Sequence, residues 1–301
     1  MNWLETTLEQ LEDEARWAYR TGAPPSTEPA ALAALALAGH GRVEAAARAG
    51  RWLANRQNED GSLGIFAQEQ APHWTTALAI LAWCAADPEH TRRPNPLPAD
   101  DRSPTARAVR WLLSISGEVS PRNLDLGHDT TLKGWPWVEG THSWIEPTAF
   151  SLLALKAVGQ GAHPRGREAV RLLVDRMLPD GGCNYGNSSV LGQTLRPHLE
   201  PTGVTLLALA GEEDQDGRIG RSLDYAVGAV GPETTAQSLG YGLIGLAAHG
   251  RMPKQSDDWL ARAAERTLRR ETPWPRLALL ALAALGESCP LVRFSRQGAK
   301  S

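Results

Sequence analysis

Glu146 is the residue with the strongest case for chemistry. It lies in Trp144-Ile145-Glu146-Pro147-Thr148-Ala149, and Trp135, Trp137 and His142 precede it closely. A carboxyl placed among aromatic side chains loses hydration, keeps its proton and can act as a general acid. Aromatic faces attract a cation formed beside them. Trp135 and Trp137 fall in a loop, Gly134-Trp135-Pro136-Trp137, where packing accounts for them less well than for Trp52, Trp83, Trp111 and Trp259, which fall within helices. Asp129, in Leu126-Gly127-His128-Asp129-Thr130-Thr131, is a second candidate carboxyl, for acid chemistry, for cation ligation or as a cap. Asn184 and Tyr185, in Cys183-Asn184-Tyr185-Gly186, are placed either to face a central cavity or to form a turn. Trp74, His142, Trp144 and Tyr241 complete the candidate pocket.

Glu146 also has a purely structural role open to it. Ser143-x-x-Glu146 fits a capping box, and Pro147 suits a first helical turn. Glu-Pro recurs at Glu28-Pro29 and Glu200-Pro201, and three copies are not expected all to be catalytic. The aromatic surroundings rank Glu146 above the other two.

The chain that must position these residues has 301 residues and a formal charge of −3, with 31 basic and 34 acidic side chains. That balance, without dense Lys/Arg runs, argues against a nucleic-acid partner. The amphipathic, acidic N-terminus lacks a signal-peptide pattern, and no apolar run approaches the roughly 18 residues of a membrane span. A cytoplasmic protein is the expectation, with peripheral membrane contact or a partner subunit left open. Three scattered cysteines, Cys84, Cys183 and Cys289, make no disulfide framework.

Self-similarity supplies the architecture. Glu28-Pro29-Ala30-Ala31-Leu32, Glu146-Pro147-Thr148-Ala149-Phe150 and Glu200-Pro201-Thr202-Gly203-Val204 each open a stretch of small and apolar residues. Looser copies start near Trp74, Thr235 and Trp274. Helices without a polar face are buried helices. Between them lie amphipathic segments at 42–57, 105–114, 165–177, 218–230 and 257–269, with a sixth at 4–19. An open stack would need polar capping repeats, and neither end supplies one. The expectation is one all-α domain over 1–301, an α/α toroid of about six helical hairpins in two concentric layers. Its repeats cover about 28–285, and the tail 286–301 is expected to be irregular. The linkers 117–143 and 179–199 carry Trp, Tyr, His and Asn, whereas 87–102 reads as a solvated connection.

Arg51-Trp52-Leu53 leading to Gln57-Asn58-Glu59-Asp60-Gly61-Ser62 resembles the Gln–Trp repeat of squalene and oxidosqualene cyclases, and related segments occur in protein prenyltransferase β subunits. Met177-Leu178-Pro179-Asp180-Gly181-Gly182 resembles a second copy of the turn. Pro72-His73-Trp74 and Pro197-His198-Leu199 are similar to the His-containing helix entries of prenyltransferase β subunits. The resemblance implies an α/α barrel. It departs where an aromatic follows the Asp-Gly turn, since Leu63 and Cys183 stand there, and the chain is about half the length of a squalene cyclase.

Class II terpenoid cyclases protonate an alkene or epoxide with the middle Asp of Asp-x-Asp-Asp-Thr-Ala. Aligned on Thr148-Ala149, Glu146 takes that position, while Trp144 and Pro147 replace the other two carboxylates. The resemblance therefore implies acid-initiated cyclisation or isomerisation of a polyprenyl substrate without metal or cofactor. The alternatives are a non-catalytic toroid holding a lipid or protein partner, and a prenyltransferase-like subunit. The last would need zinc, for which Asp180, Cys183 and His198 are the available set, although Asp-x-x-Cys is no zinc signature. The run Glu212-Glu213-Asp214-Gln215-Asp216 reads as a solvated acidic loop rather than a magnesium site.

Overall fold

The computed structural model describes residues 3–66, 69, 71, 73–87, 89–90, 100, 102–269 and 274–297. Among them run α1 (Trp3–Leu11), α2 (Thr27–Gly39), α3 (Val43–Ala54), α4 (Thr75–Ala86), α5 (Pro104–Ser114), α6 (Ile145–Ala157), α7 (Pro164–Asp175), α8 (Leu199–Ala208), α9 (Arg218–Ala229), α10 (Ala236–Ala248), α11 (Ser256–Leu268), α12 (Trp274–Ala283) and α13 (Pro290–Ser295). The one sheet among the described residues is a hairpin of β1 (Ser189–Val190) and β2 (Gln193–Thr194).

The apolar helices form a closed ring. α2 packs on α4, α4 on α6, α6 on α8, α8 on α10, α10 on α12, and α12 returns to α2. Their residues are buried nearly all round, as the absence of a polar face requires. The amphipathic helices surround them: α3 lies against α2 and α4, α5 against α4 and α6, α9 against α8 and α10, α11 against α10 and α12, and α1 against α12 and α2, with α7 on α6. This is the expected α/α toroid. No helix among the described residues is long and apolar enough to cross a membrane.

The repeated turns dock each hairpin on the next. Gly61 and Gly181 adopt φ of +96° and +100°, open only to glycine at low cost, and press against the backbone of Arg107 in α5 and of Arg221 in α9. Gln57 reinforces the first, donating to the carbonyl of Gly61 and to that of Pro104, each at 2.8 Å. A threonine in each following inner helix then holds the incoming strand. Thr76, Thr148 and Thr202 accept from the backbone N–H of Leu63, Trp135 and Cys183 at 2.8–2.9 Å.

The C-terminal ends of the inner helices are closed by neighbours' basic groups, which suit the negative end of the helix dipole. A ring nitrogen of His40 bonds the carbonyl of Ala281, one of His90 that of Ala157 and one of His249 that of Leu206. Arg296 donates to Ala247 and Ala248. Lys156, 1 % exposed, donates to Ala208 and Ala210 and pairs with Glu212 at 2.9 Å. Breaking such a buried pair typically costs 3–5 kcal/mol. Lys156→Ala is therefore expected to lose about 3 kcal/mol, read as a lower urea midpoint.

Three expectations change. The described part of the tail, through Gln297, is not irregular, because α13 packs on α2, α6, α8 and α10 and buries Leu291, Val292 and Phe294 beneath the ring. The N-terminal helix stops at Leu11 and is followed by a 3-10 turn at Glu14–Arg16. The acidic run is only partly a solvated loop: Glu212 faces Lys156, and Asp214 accepts the N–H groups of Arg218 and Ile219 at the start of α9. In the linker 87–102, residues 88, 91–99 and 101 lie outside the described residues.

Candidate functional site

A closed ring brings the N-terminal ends of its inner helices to one mouth. Glu28, Glu146 and Glu200 occupy the first turns of α2, α6 and α8 and lie within electrostatic reach of one another. Burial raises all three carboxyls above their ordinary value. Glu28 has partial relief, since the Tyr19 hydroxyl donates to it at 2.6 Å. Glu200 accepts from the Gln237 amide and feels Arg276. Glu146 is 8 % exposed and makes no hydrogen bond or ion pair among the described residues. Burial first, then repulsion by Glu200 and Glu28, pushes it up to about 8. A neutral carboxylic acid thus stands in the mouth at neutral pH. The Tyr241 hydroxyl senses all three glutamates and is driven well above its usual range, mainly by burial.

The capping box proposed for Glu146 does not form. Trp144 is the N-cap residue of α6 and makes no side-chain cap bond, while the Ser143 hydroxyl accepts the N–H of Gly134 at 2.9 Å. Glu28 and Glu200, ranked below Glu146 because three copies were not expected all to be catalytic, add their repulsion to the larger effect of burial on Glu146.

A connected chain of aromatic rings ends at Tyr241, the residue that senses the three carboxyls. Trp74 meets Trp137 edge-on at 4.9 Å and stacks on Phe150 at 5.7 Å, and Phe150 meets Tyr241 at 5.9 Å. Phe150 belongs to α6 and Tyr241 to α10, which are separated in the ring by α8, so this contact crosses the lumen. A cavity of about 420 Å³ opens beside Glu200, walled in part by Gln237, Arg266 and Arg276.

The structure therefore brings Tyr241 and Tyr185 within electrostatic reach of Glu146 and joins Trp74 and Trp137 to Tyr241 through Phe150. His142 and Trp144 line a separate cavity of about 240 Å³. Tyr185 is exposed, its ring 5.1 Å from that of His198, and its carbonyl accepts the N–H of Ile145. Three expected residues serve elsewhere. Trp135 is 1 % exposed, donates from its indole to the Leu112 carbonyl and carries the Arg165 guanidinium 4.1 Å over its ring. It is the aromatic following the turn, in the position held by Leu63 and Cys183, and it packs in the wall. Asp129 accepts the N–H and hydroxyl of Thr131, bonds that hold its carboxyl below the usual range and make it a turn former rather than an acid. Asn184 closes its own turn, accepting from Tyr185 and donating to the Arg196 carbonyl. The alternative zinc set is not assembled either: Cys183 is buried in the wall with its thiol pushed up to about 12, while Asp180 and His198 are exposed.

Phe150, Tyr19 and Gln237 belong to this cluster and were passed over by sequence reasoning, which ranked Glu28 and Glu200 below Glu146. For the glutamates the signal was present, because identical positions of a closed repeat must face one another across the ring.

No family model and no curated protein matches the chain. Among solved structures it is similar to a variant of the type II terpene cyclase MstE from Scytonema in complex with its substrate geranylgeranyl dihydroxybenzoate, at TM-score 0.57 and 14 % identity over 98 % of each chain. The apo enzyme gives TM-score 0.54 and 16 % identity over 91 % of this chain and 82 % of that one. Salmonella alpha-2-macroglobulin reacted with methylamine gives TM-score 0.55 and 12 % identity over 94 % of this chain, which spans only 17 % of that protein. These likenesses, all in overall shape, give the chain the α/α toroid fold of the terpenoid cyclases.

Proposed function

We propose that this toroid is a terpenoid cyclase-like enzyme that starts cyclisation or isomerisation of a polyprenyl substrate by proton transfer from Glu146. The observation that carries the proposal is the state of Glu146: buried, without a hydrogen-bond or ion-pair partner among the described residues, and held near pKa 8. A carboxyl tuned toward working pH is suited to general acid catalysis. The Glu146 proton would add to one alkene carbon, the π electrons forming the new C–H bond and leaving a carbocation at the other carbon. The rings of Trp74, Trp137 and Phe150 would face that cation. Loss of a proton from the carbocation to the Glu146 carboxylate would form the product alkene and restore the acid. The neighbour MstE, similar in fold, is solved in complex with a geranylgeranyl compound as substrate, which supports a polyprenyl substrate here. Three free, buried cysteines fit a reducing compartment such as the cytoplasm.

A second reading rests on the Phe150–Tyr241 contact. A lumen crossed by its own side chains suits a non-catalytic toroid that holds a lipid or protein at its mouth. One experiment separates the two. Purified wild type and Glu146→Gln are incubated with squalene and with linear prenyl diphosphates, and the extracts are examined by mass spectrometry. The enzyme reading expects cyclic or isomerised products from the wild type and at least a hundredfold less from the variant. Lipid retained unchanged by both proteins would support the binding toroid and sink the cyclase.

A further inference from the structure

The mouth of the ring is a shallow cup. Glu28, Glu146 and Glu200 are each the second residue of α2, α6 and α8, and Gln237 is the second residue of α10. The Gln237 amide donates to Glu200, which sets α8 and α10 at one level. Phe150 and Tyr241 are each the sixth residue of α6 and α10, and so lie about 6 Å deeper, one turn below the carboxyls. Their rings meet at 5.9 Å, 3 % and 4 % exposed, and close the cup from below. Three carboxyls thus stand around a rim above an aromatic floor. Tyr19, bonded to Glu28, and Tyr185, within electrostatic reach of Glu200 and Glu146, add rings at the rim.

Two buried polar groups in this cup have no hydrogen-bond partner among the described residues. One is the Glu146 carboxyl. The other is the Tyr241 hydroxyl, which nonetheless lies within electrostatic reach of all three glutamates. The carboxyls are poorly matched by positive charge. Arg276 on α12 and His198 ahead of α8 act on Glu200. The charged groups acting on Glu146 are Glu200 and Glu28, and the one acting on Glu28 is Glu200. The first turns of α4 and α10 carry no charged residue. A metal ion does not answer this deficit, because among the described residues no three acidic, histidine or cysteine side chains converge as a metal shell requires. An alkylated ammonium group needs no such convergence, since ring faces and carboxylates around it hold it without direct coordination.

We infer that this cup binds an organic cation of the trimethylammonium type, ringed by Glu28, Glu146 and Glu200 above the Phe150–Tyr241 floor. The free Tyr241 oxygen and the ring faces both turn electron density toward such a group. Cation and proton compete at Glu146. A neighbouring positive charge favours the carboxylate, so the ligand expels the proton that Glu146 otherwise holds up to about 8. Affinity therefore rises with pH through that value. The site uses the carboxyls and rings alone and holds its ligand whether or not Glu146 protonates an alkene.

Isothermal titration of the full chain with choline, 3,3-dimethyl-1-butanol and potassium chloride tests the assignment. Choline is expected to bind saturably at about pH 8.5 with a Kd below about 1 mM. The butanol, of choline's shape without its charge, and potassium, charged without alkyl groups, are expected to bind at least tenfold more weakly. At pH 7 choline should release about half a proton or more per site, read from the heats in phosphate and Tris buffers, and its affinity should rise at least about fivefold from pH 6 to pH 9. Glu146→Gln should abolish the release, flatten the pH profile and weaken choline at least tenfold at about pH 8.5, with a circular dichroism melt no lower than that of the wild type. The proton release of the wild type carries the test if the variant fails to fold. Absence of saturable choline binding to the wild type would overturn the assignment. So would butanol or potassium binding as tightly as choline, choline binding without proton release, or an unchanged Kd in Glu146→Gln.

Discussion

Glu146→Gln is expected to make the protein more stable by on the order of 3 kcal/mol at pH 7 while removing the proposed proton donor. In the fold the carboxyl stays protonated up to about 8, whereas its ordinary value is 4.5. Between those limits the unfolded chain has released a proton that the folded chain still holds. The unfolded state then binds fewer protons, so stability falls as pH rises, by about 1.4 kcal/mol per pH unit. Below 4.5 both states are protonated and the loss vanishes, and above 8 it is complete. The amide of glutamine does not titrate and escapes the loss. Urea unfolding of both proteins from pH 4 to 9 should therefore give coincident midpoints at pH 4 that diverge to a plateau above pH 8. A residue proposed as catalytic that costs stability matches the familiar compromise of an active site. Glu200→Gln should lower the pKa of Glu146, because Glu200 is the larger of its two repulsive neighbours.

Gly203→Val is expected to unfold the toroid or to cost more than about 4 kcal/mol. α8 and α10 meet with their backbones in contact. A Cβ on Gly203 would run into the carbonyl of Tyr241 and lie 2.7 Å from the backbone nitrogen of Gly242. One on Gly245 would strike the carbonyl of Gly203. Neither obstacle is the movable end of a side chain, so relief requires separating two inner helices and opening the ring. The same shift would carry Tyr241 away from the glutamates. Gly228→Ala is the control, with the opposite sign. It lies in α9 with nothing within 4 Å of a Cβ, and alanine there should add about 0.5–1 kcal/mol through helix propensity. Urea midpoints of the two variants should move in opposite directions.

Ring closure was legible in the sequence for a physical reason. Helices such as Ala30–Leu37 and Leu277–Ala283 have no polar face to turn toward water, so each needs neighbours on every side, and a closed ring provides them. The gathering of Glu28 and Glu200 with Glu146 followed from the same closure but was obscured by weighing the three copies only as rival catalytic candidates. A circular repeat does the reverse and gathers its equivalents at one mouth. Trp135 was misplaced because its loop has no regular pattern. Its register was nonetheless marked, since 13 residues separate Trp135 from Thr148 as they separate Leu63 from Thr76. α13 left little trace, because six residues are too few to show a period, and its burial is decided wholly by the helix ends above it. The lumen-crossing contact between Phe150 and Tyr241 depends on the angular position of two side chains and is not encoded in any local spacing.

The protonation state of Glu146 is the most direct test. Carbon-13 NMR of the protein labelled at the glutamate carboxyl carbon, titrated from pH 4 to 10 with Glu146→Gln as the assignment control, reads it without substrate. A resonance that titrates near 8 and is missing from the variant is the expected result. A Glu146 resonance titrating near the ordinary 4.5 would mean that the mouth holds a carboxylate at neutral pH, and the acid at the centre of the account would not exist.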